Sequence, residues 1–206
     1  YRQMGGKGQI GASFAYTPSY ALDCRPINAM AKANYDDLKN YWWMDVYAYG
    51  RYPVAAMTYL KKKGIAPDMA DGDEEILRQA ASQITFMGVN YYQSCVCEYN
   101  PMDGATPYGT MNTTGIKGSA QELGMPGIYK NPANPYLMTT DWDWSIDPSG
   151  LQFCCREITS RYALPIVISE NGLGAFDKKT EDGQIHDEYR ICYLKEHIKA
   201  LGEAVE

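Results

Sequence analysis

Residues 164–169, LPIVIS, constrain the fold more than any other stretch of the chain. An unbroken apolar run with three β-branched residues and no alternation is the pattern of a strand buried on both faces, as in a parallel sheet covered by helices. Glu170, Asn171 and Gly172 follow at once. In parallel α/β folds the loops at the carboxyl ends of the strands converge over the sheet or the barrel mouth, so a carboxylate at such an end is placed for chemistry. The triplet alone also describes a plain turn beside a solvated acid, so its surroundings have to decide.

Those surroundings alternate between strands and helices. GQIGASFAY (8–16) is small, apolar and aromatic between glycines and Pro18, and reads as a strand. Residues 27–53 are rich in Ala, Leu, Asp and Lys and read as helix broken near Gly50 and Pro53. DGDEEILRQAASQ (71–83) opens with acids suited to the positive end of a helix dipole. ITFMGVNYY (84–92) is a strand whose alternation sets Phe86, Gly88, Asn90 and Tyr92 on one face and Met87, Val89 and Tyr91 on the other. DPSGLQFCCREITSRYA (147–163) is a helix with Asp147 as N-cap and Pro148 in its first position; Leu151, Cys154, Cys155, Ile158 and Tyr162 share one side. Ile191, Leu194, Ile198, Leu201 and Val205 extend a helical stripe to the last residues. Between Glu98 and Asp143 the sequence is crowded with Gly, Pro, Asn and Thr and has no period; loops of that length are functional or disordered. The order predicts an α/β fold of βα units.

With 45% hydrophobic residues in 206, the chain can bury a sizeable core as a single domain. A net charge of −6 without a basic patch excludes a nucleic-acid partner, whose phosphates demand clustered Lys and Arg. No run approaches the ~18 apolar residues of a membrane span. The first ten residues have neither the apolar core of a signal peptide nor an initiator Met, and both ends look cut rather than finished. Cys95 and Cys97 stand two apart, Cys154 and Cys155 are adjacent, Cys24 and Cys192 are isolated, and His186 and His197 lie elsewhere. That spacing predicts small buried thiols in a reducing cytoplasm, not a metal site or disulfide framework.

VISENG at a strand end, FMGVNYY before it and WSIDPSGL between them resemble glycoside hydrolase family 1, the retaining β-glycosidases. GKGQIGASFAYTPSYALDC, NYWWMDVYAYGRYP, DWDWSIDPSGL, ENGLGAFD and DEYRICYLKEHIKA are similar to the bacterial 6-phospho-β-glucosidase branch, in the family's order over nearly the whole chain. The resemblance implies a (β/α)8 barrel, of which residues 1–206 would be an incomplete domain spanning about strands 5 to 7 with their helices. It also implies that the acid/base glutamate of the family's T-x-N-E-P motif, the eighth strand and the loop gripping the sugar phosphate lie outside this chain.

By the same resemblance Glu170 is the nucleophile, and Tyr92, the second tyrosine of N-Y-Y, donates a hydrogen bond to it, favouring the charged carboxylate. Asn90, two residues back on the same face, could reach the same substrate site. Trp144 matches the tryptophan walling the aglycone side, where an indole suits a sugar face or aryl group. Trp42, Trp43 and Trp142 have no such match and are expected to pack in the core or on helices. The implied substrate is a phosphorylated β-glucoside, hydrolysed with retention in the bacterial cytoplasm; no metal or organic cofactor is implied. β-Glucosidase and 6-phospho-β-galactosidase activity stay open, as do a non-catalytic sugar-binding fragment and a purely structural one. Three strands cut from a barrel leave two open edges and an uncovered inner face, which predicts self-association or a complementing chain.

Overall fold

The computed structural model describes residues 4–101, 111–120 and 123–205. In chain order these form β1 (Gly11–Ala15), β2 (Ser19–Ala21), α1 (Pro26–Tyr35), a π-helical segment (Asp36–Asn40), α2 (Tyr41–Tyr49), α3 (Val54–Lys63), α4 (Asp73–Ala81), β3 (Phe86–Tyr91), β4 (Cys95–Cys97), β5 (Leu123–Met125), β6 (Tyr129–Asn131), α5 (Pro148–Tyr162), β7 (Ile166–Asn171) and α6 (Glu188–Val205). The long strands β1, β3 and β7 make one parallel sheet in that order, each followed by helices. This is the expected portion of a barrel. The first three residues of the chain and part of the long loop lie outside the described residues.

The sheet is held from one side. Met87, Val89 and Tyr91 of β3 are completely buried there, against Met44 of α2 and Leu151, Cys154 and Ile158 of α5. Burying each such aliphatic side chain stabilises the fold by about 2 kcal/mol. The predicted face of α5 is therefore the observed one. On the opposite face Gly88 meets β1 so closely that a Cβ there would lie 2.5 Å from Ser13 Oγ, which leaves room for no larger residue.

Buried polar groups lock the helices together. Asp45 of α2 is 4% exposed and accepts two bonds from Arg161 (2.8 and 2.6 Å) and one from Tyr162 (2.7 Å), so α2 and α5 share a satisfied ion pair. Asp36, in the π-helical segment, accepts from Ser19, Lys32 and Asn40, while Asn40 donates to Thr17 O. Helix α2 ends at Gly50, whose φ of 65° is the left-handed cap the sequence break predicts.

Several expectations need correction. LPIVIS is not covered on both faces: Ile166 and Ile168 pack on the helix side, but Val167 is 48% exposed because no described layer covers the inner side of the sheet. Cys97, Cys154 and Cys155 are buried, yet Cys24 and Cys192 are exposed; all six thiols are free. The stripe on α6 points largely to solvent, with Ile191 52% and Ile198 68% exposed, since the helix docks instead through Tyr193, His197 and Ala200. Residues 98–143 contain the antiparallel pair β5–β6, and a parallel pair β2–β4 precedes it. Among the described residues no helix is long and apolar enough to cross a membrane.

Candidate active site

The pairing of β3 with β7 decides where Glu170 points. Met87 pairs with Ile166, Gly88 with Val167 and Val89 with Ile168, but Asn90 pairs with Glu170. Ser169 is thus an extra residue, a β-bulge directly before the carboxylate. Strict alternation from Ile166 and Ile168 would turn residue 170 toward the helices. The bulge instead brings Glu170 to the exposed inner face, with Val167 and Ser169.

Tyr92, just beyond the end of β3, donates its hydroxyl to Glu170 Oε2 at 2.5 Å. Sharing that proton with the carboxylate raises the Tyr92 phenol above its ordinary value, so it stays a donor. The Tyr92 ring lies 5.5 Å from the Trp144 indole, centroid to centroid, and the planes are inclined by 60°. The structure therefore brings Glu170, Tyr92 and Trp144 together. Asn90 stands beside Glu170 in the strand register and on the same face, but its Oδ1 accepts from Ser169 Oγ at 2.7 Å. Its contact is with the bulge residue.

Trp144 is placed by the turn that starts α5. Asp147, 4% exposed, caps the helix through Gly150 N (2.8 Å) and also accepts from Tyr20 (2.9 Å) and Ser94 (2.6 Å), while Tyr91 donates to its carbonyl. A buried carboxylate with three donors is a fixed point. It ties the tryptophan-bearing turn to the strand that carries Tyr92.

Beside Trp144 lies a cavity of about 260 Å³ whose lining includes Trp142, Gln93, Asn131, Asn112 and Met111. Asp143, in a left-handed conformation at φ 61°, shapes it. Burial alone would raise the Asp143 carboxyl, but donation from the Gly118 and Ala120 amides and from Asn112 brings it below the ordinary carboxylate range. Trp142, expected to pack in the core or on helices, lines this cavity, and its ring lies 5.1 Å from Phe176 across the loop after β7. Trp43, on α2, is 62% exposed, and Trp42 of the same helix stacks on Tyr52 at 4.2 Å. A larger cleft of about 730 Å³ lies between α2, α3 and α4, but Glu170, Tyr92, Asn90 and Trp144 are not among its lining residues. Among the described residues no cluster of His, Cys, Asp or Glu could hold a metal ion.

A carboxylate at a strand end, a phenol bonded to it and an indole alongside stand together at one end of the sheet, and the sequence pattern of glycosyl hydrolase family 1 matches residues 1–206. The chain belongs to glycosyl hydrolase family 1. Within the family it is 47% identical, over 100% of its own length, to the aryl-phospho-beta-D-glucosidase BglC of Bacillus subtilis, and covers 42% of that protein. It is 33% identical to the 6-phospho-beta-glucosidase AscB of Escherichia coli, covering 97% of this chain and 38% of the relative. The beta-glucosidase of Thermotoga maritima in complex with deoxynojirimycin superimposes with a TM-score of 0.78 at 22% identity, over 99% of this chain and 40% of the other, which speaks to fold. The chain thus spans about two fifths of these family members. Sequence reasoning missed the places of Ser169 and Trp142: a serine in a strand carries no bulge signal, and Trp142 lies in a loop without periodicity.

Proposed function

We propose that the protein carrying this chain hydrolyses 6-phospho-β-glucosides with retention of configuration, and that Glu170 is its nucleophile. The observation that carries this reading is the 2.5 Å bond from Tyr92 to Glu170 at the carboxyl ends of adjacent parallel strands. In the first step a Glu170 oxygen bonds to the anomeric carbon as the bond from that carbon to the leaving oxygen breaks; a second carboxylic acid, outside this chain, protonates the departing oxygen. In the second step that group takes a proton from water, whose oxygen displaces Glu170 from the glycosyl ester. Tyr92 fixes the attacking carboxylate, and Trp144 offers a flat wall to the leaving group. Preference for a phosphorylated sugar is supported by the names of the similar proteins in B. subtilis and E. coli. All six thiols are free, which agrees with a cytoplasmic location.

The test uses the full-length protein with nitrophenyl glucosides. Turnover of the 6-phosphate form and covalent labelling of Glu170 by a 2-fluoro-glucoside 6-phosphate are expected; turnover of plain glucoside alone would remove the phosphate assignment. The 206-residue chain by itself is expected to be inactive. Its outer strands β1 and β7 and the exposed apolar residues of α6 favour self-association or a complementing chain. Sedimentation of the isolated chain as a monomer would contradict that.

A further inference from the structure

Glu170 is supported from the helix side by a residue that plays no part in the chemistry proposed above. Tyr193 of α6 is 4% exposed, and its hydroxyl donates to the carbonyl of Tyr92 at 3.0 Å. The same oxygen accepts from Asn171 Nδ2 at 3.3 Å, and that amide also donates to Tyr91 O at 3.0 Å. One phenol oxygen therefore touches the residue after the carboxylate on β7 and the backbone of its hydrogen-bond donor beyond β3.

The phenol is itself held firmly. Its ring stacks on His197 at 3.8 Å, and His197 Nδ1 lies 2.7 Å from Tyr193 O. A carbonyl can only accept, so Nδ1 carries the proton, and the buried Nε2 has no hydrogen-bond partner among the described residues. Desolvation pushes the Tyr193 phenol up to about 12, keeping it a donor at neutral pH.

The placement matters because among the described residues β7 pairs with β3 alone, and its ladder is already interrupted at Ser169. Glu170 sits between that bulge and Asn171. Resting on the assignment of Glu170 as nucleophile, we propose that Tyr193 is a positioning residue: its hydroxyl fixes the ends of β3 and β7 against each other and so sets the direction of Glu170 toward the substrate. Displacing a reacting group by about 1 Å costs on the order of a hundredfold in rate. The phenol has no place at the inner face where substrate would bind, so its loss should slow attack and leave affinity alone.

The experiment compares wild type with Tyr193→Phe in the full-length protein, which removes the hydroxyl and keeps the stacked ring. The expected result is kcat lowered by ten- to a hundredfold, KM within about twofold, and the rate of Glu170 labelling by the 2-fluoro-glucoside 6-phosphate lowered by the same factor as kcat. Wild-type kcat in the folded variant, or a rise in KM matching the whole loss, would overturn the inference and leave the functional reading intact. Wild type that is never labelled at Glu170 overturns both, and is recognised without any variant. Should Tyr193→Phe not fold, Asn171→Ala breaks the same link from the β7 side; the same split of kcat from KM is expected, and wild-type kcat there overturns the inference.

Discussion

On the helix side of β3, Met87, Val89 and Tyr91 are sealed completely, whereas one residue along on the other side Asn90 and Tyr92 retain contact with solvent. The same division runs through β7, where Ile166 and Ile168 pack into the core while Val167, Ser169 and Glu170 do not. Side chains an atom's width of backbone apart thus serve different ends. One face supplies cohesion, and the other presents polar groups on the open side of the sheet. The lesson is that the site depends on the core for its geometry, but changes on its own face should alter rate with little effect on stability.

The sharpest way to break this comparison is Glu170→Gln in the full-length protein. Turnover should fall by about a hundred-thousandfold while the melting temperature stays near that of wild type; substantial residual kcat, measured after excluding wild-type contamination, would refute the assignment. Met87→Ala probes the opposite face. It should cost about 3 kcal/mol of unfolding free energy by denaturant titration, with kcat per folded molecule unchanged. Tyr92→Phe removes a hydrogen bond to a charged group, about 2 kcal/mol, so kcat should drop some thirtyfold with little loss of stability.

The smallest effect concerns His197. Burial lowers its imidazole below the ordinary value near 6.5, opposed by the bond to Tyr193 O and the charge of Asp147. A base harder to protonate in the folded than the unfolded chain leaves stability intact above about pH 6.5 and erodes it as pH falls from there toward the lowered folded value. Unfolding curves across that range should show the decline, and His197→Phe should flatten it. An equally steep decline in the variant would assign the effect elsewhere.

These contrasts also explain how much of the molecule could be read in advance. Alternation in β3 sorted Met87, Val89 and Tyr91 from Asn90 and Tyr92 correctly, since a six-residue strand with one covered face leaves a regular imprint. The capping of α5 by Asp147 was equally plain, because the chemistry is local. The role expected of Glu170 and its bond to Tyr92 came through family resemblance; no local pattern joins residues 78 positions apart. Three-residue strands such as β2 and β4 leave too short a record, and the exposure of Val167 depends on what surrounds the sheet rather than on the strand itself.

The serine at 169 carries a consequence for anyone who would transplant this strand. Side-chain directions before and after it are out of phase, so a graft that keeps Ile-Val-Ile and the glutamate but drops the supernumerary residue would hold every atom of the reacting group and none of its aim. Recipient scaffolds must inherit the irregularity together with the acid.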